Sequence, residues 1–469
     1  MTTFLDEFPE YRGTEKLDEL RHSEYGYLDE QGHLYLDYTG AGLAARAQYR
    51  AHVDRLSGTL FGNPHSANPT SAAATELVER ARARVLQHFN ADPAEYTAVF
   101  TANATGAARL VGEAYPFTRR TRLVLTFDNH NSVNGLREFA RRGRARTVYV
   151  PTKAPELRVD TAALTEVLER GGRGLFAYPA QSNFSGVRHP LDWIARAQEL
   201  GYDVLLDAAA YLPTATLDLR EVHPDFVLVS WYKLFGYPTG VGCLIVRREA
   251  LARLVRPWFS GGTIQAVSVG MPWHTMAPDE SAFEDGTLNF LSIPDVHFGL
   301  NWLAAIGMPL IATRVRCLTA WFLRRLAELR HGDGSPMVRL YGPPDARDRG
   351  GTVAFNFLDA AGKVVDERLV AAETSAAGIS LRTGCFCNPG VGEDAFGLDV
   401  GALKALRGAK ANSLDDYLKL IGLPTAGAIR VSFGLVSTVD DVERFVAFAD
   451  KAYRDRIPET KGLPPRDRC

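Results

Sequence analysis

The chain has 469 residues, 46% of them hydrophobic and 23% charged, with a formal net charge of −2. The length predicts two or three domains of an ordinary globular protein. The near-neutral charge gives no electrostatic reason to expect nucleic-acid binding. No apolar run reaches the ~20 residues of a membrane span, so no membrane contact is expected.

The amino terminus, MTTFLDEFPEYRG, is acidic and lacks the basic and apolar regions of a signal peptide. Cys243, Cys317, Cys385, Cys387 and Cys469 are too few and too scattered for a disulfide framework. A cytoplasmic protein with reduced thiols follows from these two observations. The basic runs RRTR (119–122) and RRGRAR (141–146) read as solvated faces.

In chain order, residues 1–22 read as an amino-terminal arm, 23–298 as a large domain and 299–469 as a smaller carboxyl-terminal one. TSAAATELVERARARVLQHF (70–89) predicts a helix, with Leu77, Ala81, Val85 and Phe89 on one face and Glu and Arg opposite. Between about residues 95 and 250 come seven short apolar runs: YTAVFT, RLVLTF, RTVYV, GLFAYPA, DVLLDA, DFVLVSW and GCLIV. Each has the length and residue content of a buried strand, and helix-like stretches separate them. The pattern predicts an α/β fold with a mostly parallel sheet covered on both faces. After residue 300 a helical stretch, GTVAFNF, a cysteine segment and AIRVSFG predict the smaller α/β domain. The polar tail PETKGLPPRDRC is expected to fray.

Polar and small residues gather where the strands end: ANATGAA, DNHNS, QSNFSG, DAAAY and WYKLFG. In open α/β sheets the ligand crevice lies at the carboxyl ends of the strands, so five segments aim at one place. Lys233, in SWYKLFGYPTGVG, ends a very apolar strand. Burial lowers a lysine's pKa and leaves a nucleophilic amine, although a lone lysine is more often a surface one. Pyridoxal phosphate is an aldehyde cofactor that needs such an amine and an acid at its ring nitrogen. Asp207 is a candidate for the acid, or else a helix cap. ANATGAARL opens a helix whose free N–H groups suit a phosphate. His130 is either an ordinary loop histidine or a ring stacked on the cofactor.

RTGCFCNPG (382–390) places two cysteines in a CxC spacing beside an arginine. With no second cysteine or histidine pair nearby a zinc site is poorly supported, and no metal is expected. A reactive thiol is the sharper reading. A disulfide between these two cysteines is not expected, because a one-residue gap strains the ring.

Taken together, DNHNS, DAAAY, SWYKLFGYPTGVG, FEDGTLNF, RTGCFCNPG and AIRVSFG resemble the class V aminotransferase-like pyridoxal phosphate enzymes of fold type I. Within these the run is similar to cysteine desulfurases, and most of all to the desulfurase domain of molybdenum cofactor sulfurases. The resemblance extends from YLDYTGAG (35–42) to RVSFGLVST (430–438). It implies that Lys233 bonds the cofactor and moves protons, Asp207 pairs with its ring nitrogen and His130 stacks on it. Asn183 would lie near the phenolic oxygen, with Ala104, Thr105 and Ser230 at the phosphate. Thr287 would reach the phosphate of a neighbouring subunit, which implies a homodimer. Arg382 would clamp the substrate carboxylate, Asn63 and His65 would lie on the substrate side, and Cys387 would accept sulfur.

The implied reaction takes sulfur from L-cysteine, or a cysteine derivative, through an enzyme persulfide, and gives alanine. The sulfur then goes to an acceptor protein or small molecule. Ala210 and Tyr232 stand where several desulfurases carry Gln and His, and the pterin-binding domain of full-length sulfurases has no counterpart before Cys469. A carbon–sulfur lyase, epimerase or aminotransferase acting on another amino acid is the alternative.

Overall fold

A computed structural model describes residues 3–64, 66–398, 401, 414–421, 427–459, 462–464 and 466. Its centre is a seven-stranded sheet built from β1 (Tyr96–Thr101), β2 (Thr121–Thr126), β3 (Arg146–Val150), β4 (Arg173–Pro179), β5 (Tyr202–Asp207), β6 (Phe226–Ser230) and β7 (Gly242–Arg247). All seven coincide with the predicted apolar runs. Their spatial order is β1-β7-β6-β5-β4-β2-β3. Only β7 runs antiparallel to its neighbours.

The runs are continuously apolar because both faces of the sheet are covered. Along β2, Leu123 and Leu125 enter one core cluster and Val124 the other. Along β4, Leu175 and Ala177 alternate in the same way with Phe176 and Tyr178. This two-sided packing fixes the register, since a one-residue slip would exchange the two cores.

Helix α1 (Pro69–His88) starts one residue before its predicted position, with Asn68 accepting the Ser71 N–H as cap. Its buried stripe runs through Ala74, Val78, Ala81 and Val85 rather than through Leu77. Arg82 also lies on the buried side, which corrects the expectation that the arginines all face water. Its Nη1 pairs with Glu284 at 2.8 Å, so the charge is compensated rather than stranded.

Helix α2 (Ala104–Ala114) follows β1 directly, capped by Asn103, whose side chain accepts the Gly106 N–H at 2.8 Å. Gly242, level with Thr101 and Ser230, has to be glycine. A Cβ there would stand 2.3–2.7 Å from the backbone of Asn103 and Ala104, so the α2 amino terminus can lie flush against β7.

The smaller sheet joins β8 (Val338–Tyr341), β9 (Thr352–Phe357), β10 (Arg382–Gly384) and β11 (Ala428–Ser432) in the order β8-β9-β11-β10, all antiparallel. Leu34–Tyr35 pairs in parallel with Ile379–Ser380, and Asp37 bridges Ser432. Residues 3–25 form short helices docked on this part of the molecule. Arg21 pairs with Asp441 at 2.6 Å, and Asp18 with the buried Arg314 at 2.6 Å. Arg466, in the segment expected to fray, is held by Glu367 at 2.6 Å and Asp366 at 3.0 Å. Among the described residues, no single helix is long and apolar enough to cross a membrane.

Candidate active site

The segments after β1, β2, β4, β5 and β6 line one cavity of about 90 Å³. Ala104, Thr105, His130, Asn183, Asp207, Ser230 and Lys233 all contribute to it. The sheet topology explains the convergence: five parallel strands end on one side, and each delivers the first polar residues of its loop there.

Lys233 lies on a short helix directly after β6. Its surface is only part-buried because it faces the cavity. The protein packed round the amine desolvates it and lowers its pKa, an effect that the nearby Asp207 charge opposes. Asp207 ends β5 and is buried; its Oδ1 accepts the Ala209 N–H at 3.0 Å. That leaves Oδ2 without a hydrogen-bond donor among the described residues. An amine and a carboxylate therefore share one small crevice.

His130 caps the turn after β2, and its Nδ1 accepts the Ser132 N–H at 3.1 Å. Burial and the neighbouring Lys233 push its pKa down to about 4, so the ring is neutral near pH 7. At the α2 amino terminus, Thr105 Oγ1 lies 2.7 Å from Ser132 Oγ, next to helix N–H groups that have no intrahelical acceptor. Ser132 and Gln181 were not singled out in the sequence, yet both line the cavity. Gln181 is fixed by donating Nε2 to Ala210 O at 2.9 Å.

The loop Cys385–Asn388 is stitched onto the rim of this cavity. Asn131 N donates to Cys387 O at 2.7 Å, Asn183 Nδ2 to Phe386 O at 2.8 Å, and Asn388 Nδ2 to Asp128 O at 2.7 Å. Phe386 and Cys387 both hold left-handed backbone angles, with φ of 55° and 54°. Two adjacent non-glycine residues there store about 1–3 kcal/mol each, a cost that side-chain and backbone ties of this kind sustain. Cys387 is exposed and its thiol is free. Cys385 is buried and disulfide-bonded, contrary to the expectation that every thiol is reduced. It is therefore not a second reactive thiol.

The Arg382 guanidinium holds the Asp37 carboxylate at 2.6 Å. Directly opposite on β11 stands Arg430, whose Nη2 meets the same carboxylate at 2.9 Å. Arg430 is buried, donates Nη1 to Asn183 O at 3.0 Å and lies over the Phe386 ring. Two guanidinium groups share one carboxylate, so this corner keeps a net positive charge. Both depress the pKa of Lys233, with Arg430 the larger influence of the two. Arg430 was missed in the sequence, although an arginine in the middle of the apolar AIRVSFG strand was the available signal.

Two other expected site residues lie elsewhere. Thr287 lines a separate cavity of about 310 Å³ with Thr101, Gly106 and Arg109. Asn63 is exposed and does not line the Lys233 cavity. His65 falls outside the described residues.

Comparison with known proteins follows this geometry. Molybdenum cofactor sulfurase of Arabidopsis thaliana is 35% identical to the chain over 96% of it and 60% of that protein. The chain thus spans about 60% of that relative's length. The apo cysteine desulfurase of Thermococcus onnurineus NA1 shares the fold, with a TM-score of 0.76 at 24% identity, over 93% of this chain and 97% of that one. A solved complex of a cystine C–S lyase with its product cysteine persulfide matches with a TM-score of 0.68 at 18% identity, over 90% and 98% of the two chains. The aminotransferase class-V model matches residues 34–445, nearly everything from the first paired strand to the last helix, and the chain belongs to that family.

Proposed function

We propose that the chain is a pyridoxal phosphate-dependent desulfurase, which moves the sulfur of L-cysteine or a cysteine derivative onto Cys387 and leaves alanine. One observation carries this reading. The desolvated amine of Lys233 and the carboxylate of Asp207 face one cavity, and the loop bearing a free, exposed Cys387 is bonded to its rim.

The donor set fits the cofactor. Lys233 would hold the aldehyde carbon and Asp207 the ring nitrogen, with the neutral His130 ring against the cofactor face. Ala104, Thr105, Ser132 and Ser230 would hold the phosphate at a helix amino terminus. When bound, pyridoxal phosphate supplies an electron sink that weakens bonds at the substrate α-carbon.

Every other task falls to the chain's own groups. Lys233, favoured in its neutral form by burial, takes and returns a proton at the α-carbon. The uncompensated charge of the Arg382–Asp37–Arg430 cluster orients the substrate carboxylate. Cys387, as thiolate, attacks the substrate sulfur. An S–S bond forms as the C–S bond breaks, the substrate β-carbon keeps the electron pair and takes a proton, and the sulfur remains on Cys387 as a persulfide. The exposure of Cys387 leaves that sulfur open to an acceptor.

A carbon–sulfur lyase would use the same cavity with no need for Cys387. The left-handed 386–387 turn, tied to the cavity rim through the Phe386 and Cys387 carbonyls, favours the thiol-dependent reading. Mass spectrometry after addition of L-cysteine is expected to find one extra sulfur on Cys387, and Cys387→Ala is expected to lose alanine formation while keeping the cofactor's absorbance. Full alanine and sulfide release by Cys387→Ala would point to the lyase.

A second copy of the chain completes this proposal. Tyr49, Val53 and Leu60 are exposed near one another, as are Val267, Met271 and Trp273 on the hairpin Ile264–Met276, with Val269 99% exposed at its tip. Apolar groups on this scale suit an interface with a partner. Thr287, which does not line its own chain's Lys233 cavity, would serve the cavity of the other copy.

A further inference from the structure

Arg188, which bonds Gln181 of the Lys233 cavity, also lines a larger cavity of about 690 Å³. Arg158, Arg188, Arg316, Arg347 and Arg349 line it, with Asp348 the one carboxylate among the lining residues. It opens between segment 188–190 of the larger domain and segment 346–350 of the smaller one, which are joined by the Val187–Arg349 bridge and the Arg188 N–H to Asp348 O bond of 2.8 Å. Its size falls within the ~300–1,000 Å³ of small-molecule sites.

The charges of this lining do not cancel. Arg158 pairs with Glu156 at 3.0 Å, Arg316 with Glu10 at 3.1 Å and Arg347 with Asp345 at 2.8 Å. Asp348 is mostly exposed and stands 4.0 Å from Arg158. His189 is taken up by Asp128 at 2.6 Å.

Arg188 and Arg349 have no carboxylate partner among the described residues. Arg349 is buried. It donates to the carbonyls of Ser185 at 3.0 Å, Thr352 at 2.6 Å and Pro343, and its Nε is buried without any partner. Carbonyls satisfy its hydrogens but not its charge. Burial with Arg158 nearby holds its pKa down to about 9. Arg188 spends Nε on Gln181 Oε1 at 3.1 Å and Nη2 on Thr214 Oγ1 at 2.9 Å, and its ring-stacked carbon lies 5.3 Å from the centre of Tyr211. Its Nη1 donates to no described residue. Two uncompensated guanidinium charges at the wall of one water-sized-to-nucleotide-sized hollow are costly unless an anion enters.

We infer that this cavity is a binding site for a phosphate-bearing small molecule of about nucleotide size, its phosphate bonded by the open Nη1 of Arg188 and attracted by the uncompensated charge of Arg349. A hydrogen bond from a guanidinium to a phosphate oxygen is charge-assisted, and the paired arginines at the rim add long-range attraction.

Titration calorimetry tests this on the full chain in phosphate-free buffer. Saturating pyridoxal phosphate keeps any phosphate subsite of the Lys233 cavity filled. AMP and pyrophosphate are the probes, with citrate as the carboxylate comparison. AMP is expected to bind and to bind more tightly than citrate, and Arg188→Gln is expected to weaken it by about tenfold or more with the melting temperature nearly unchanged. Arg347→Gln at the rim should give a smaller loss, and Lys233→Ala none. Absence of AMP binding at millimolar concentration would overturn the assignment. So would AMP affinity equal in wild type and Arg188→Gln, or affinity lost in Lys233→Ala, which would place AMP in the cofactor cavity. Citrate bound in preference to both phosphates would overturn the choice of phosphate.

Discussion

Lys233, Asp207 and Ser230 stand at the tips of neighbouring strands of one sheet, whereas Asp37, Arg382 and Arg430 are gathered from stretches up to 393 residues apart. The first group is placed by the twist and register of a sheet buried on both faces. Each member would occupy the same place if the others were changed. The second group exists only through mutual contact: two like charges sit directly opposite on β10 and β11, and one carboxylate from the amino-terminal segment holds them together. The strand-tip end of the site is thus rigid by architecture, and the Asp37 cluster is held by the carboxylate that its two cations share.

The two ends should respond differently to substitution. Lys233→Ala removes the reactive amine from an otherwise intact crevice. Turnover of L-cysteine is expected to drop about a thousandfold or more while the folded state survives unchanged; a variant within tenfold of wild type in alanine release would show that another group does the proton transfer.

At the Asp37 cluster, Arg430→Gln is expected to lower kcat/KM about a hundredfold and Arg382→Gln about tenfold, both mainly through KM. The order follows from burial: Arg430 is enclosed, and Arg382 is half open to water that screens it. Arg430→Gln should also lower the melting temperature, because Asp37 then keeps only its exposed partner. Equal effects of the two substitutions would remove the distinction.

The smallest effect concerns pH. His130 and His88 both have pKa values held down to about 4 by burial, against an ordinary value of 6.5. As pH falls from 6.5 towards 4, the unfolded chain binds protons on these rings that the folded chain does not, so stability declines across that window. Denaturant midpoints between pH 7 and 5 should show the decline, and His88→Gln should make it shallower. A midpoint that rises with acid would contradict the sign.

The same contrast explains what could be read from the sequence. The seven strands and the five loops at their ends were legible because each is a local pattern: an apolar run, then a polar turn. Lys233 and Asp207 were legible for the same reason. The Asp37–Arg430 pairing was not, since nothing near AIRVSFG shows which carboxylate will meet its arginine. Arg82 misled in a related way. Helical periodicity placed it among the solvated charges, and only the distant Glu284 makes its burial tolerable. The Arg188–Arg349 cavity belongs to the same class, being lined by segments far apart in the sequence.

Asp37 carries a consequence for anyone trimming this protein. Because one residue within the first forty of the molecule locks together the two cations whose charge acts on Lys233, deletions that creep inward from the front should abolish amino-acid recognition abruptly at that point, well before they reach any strand of the central sheet.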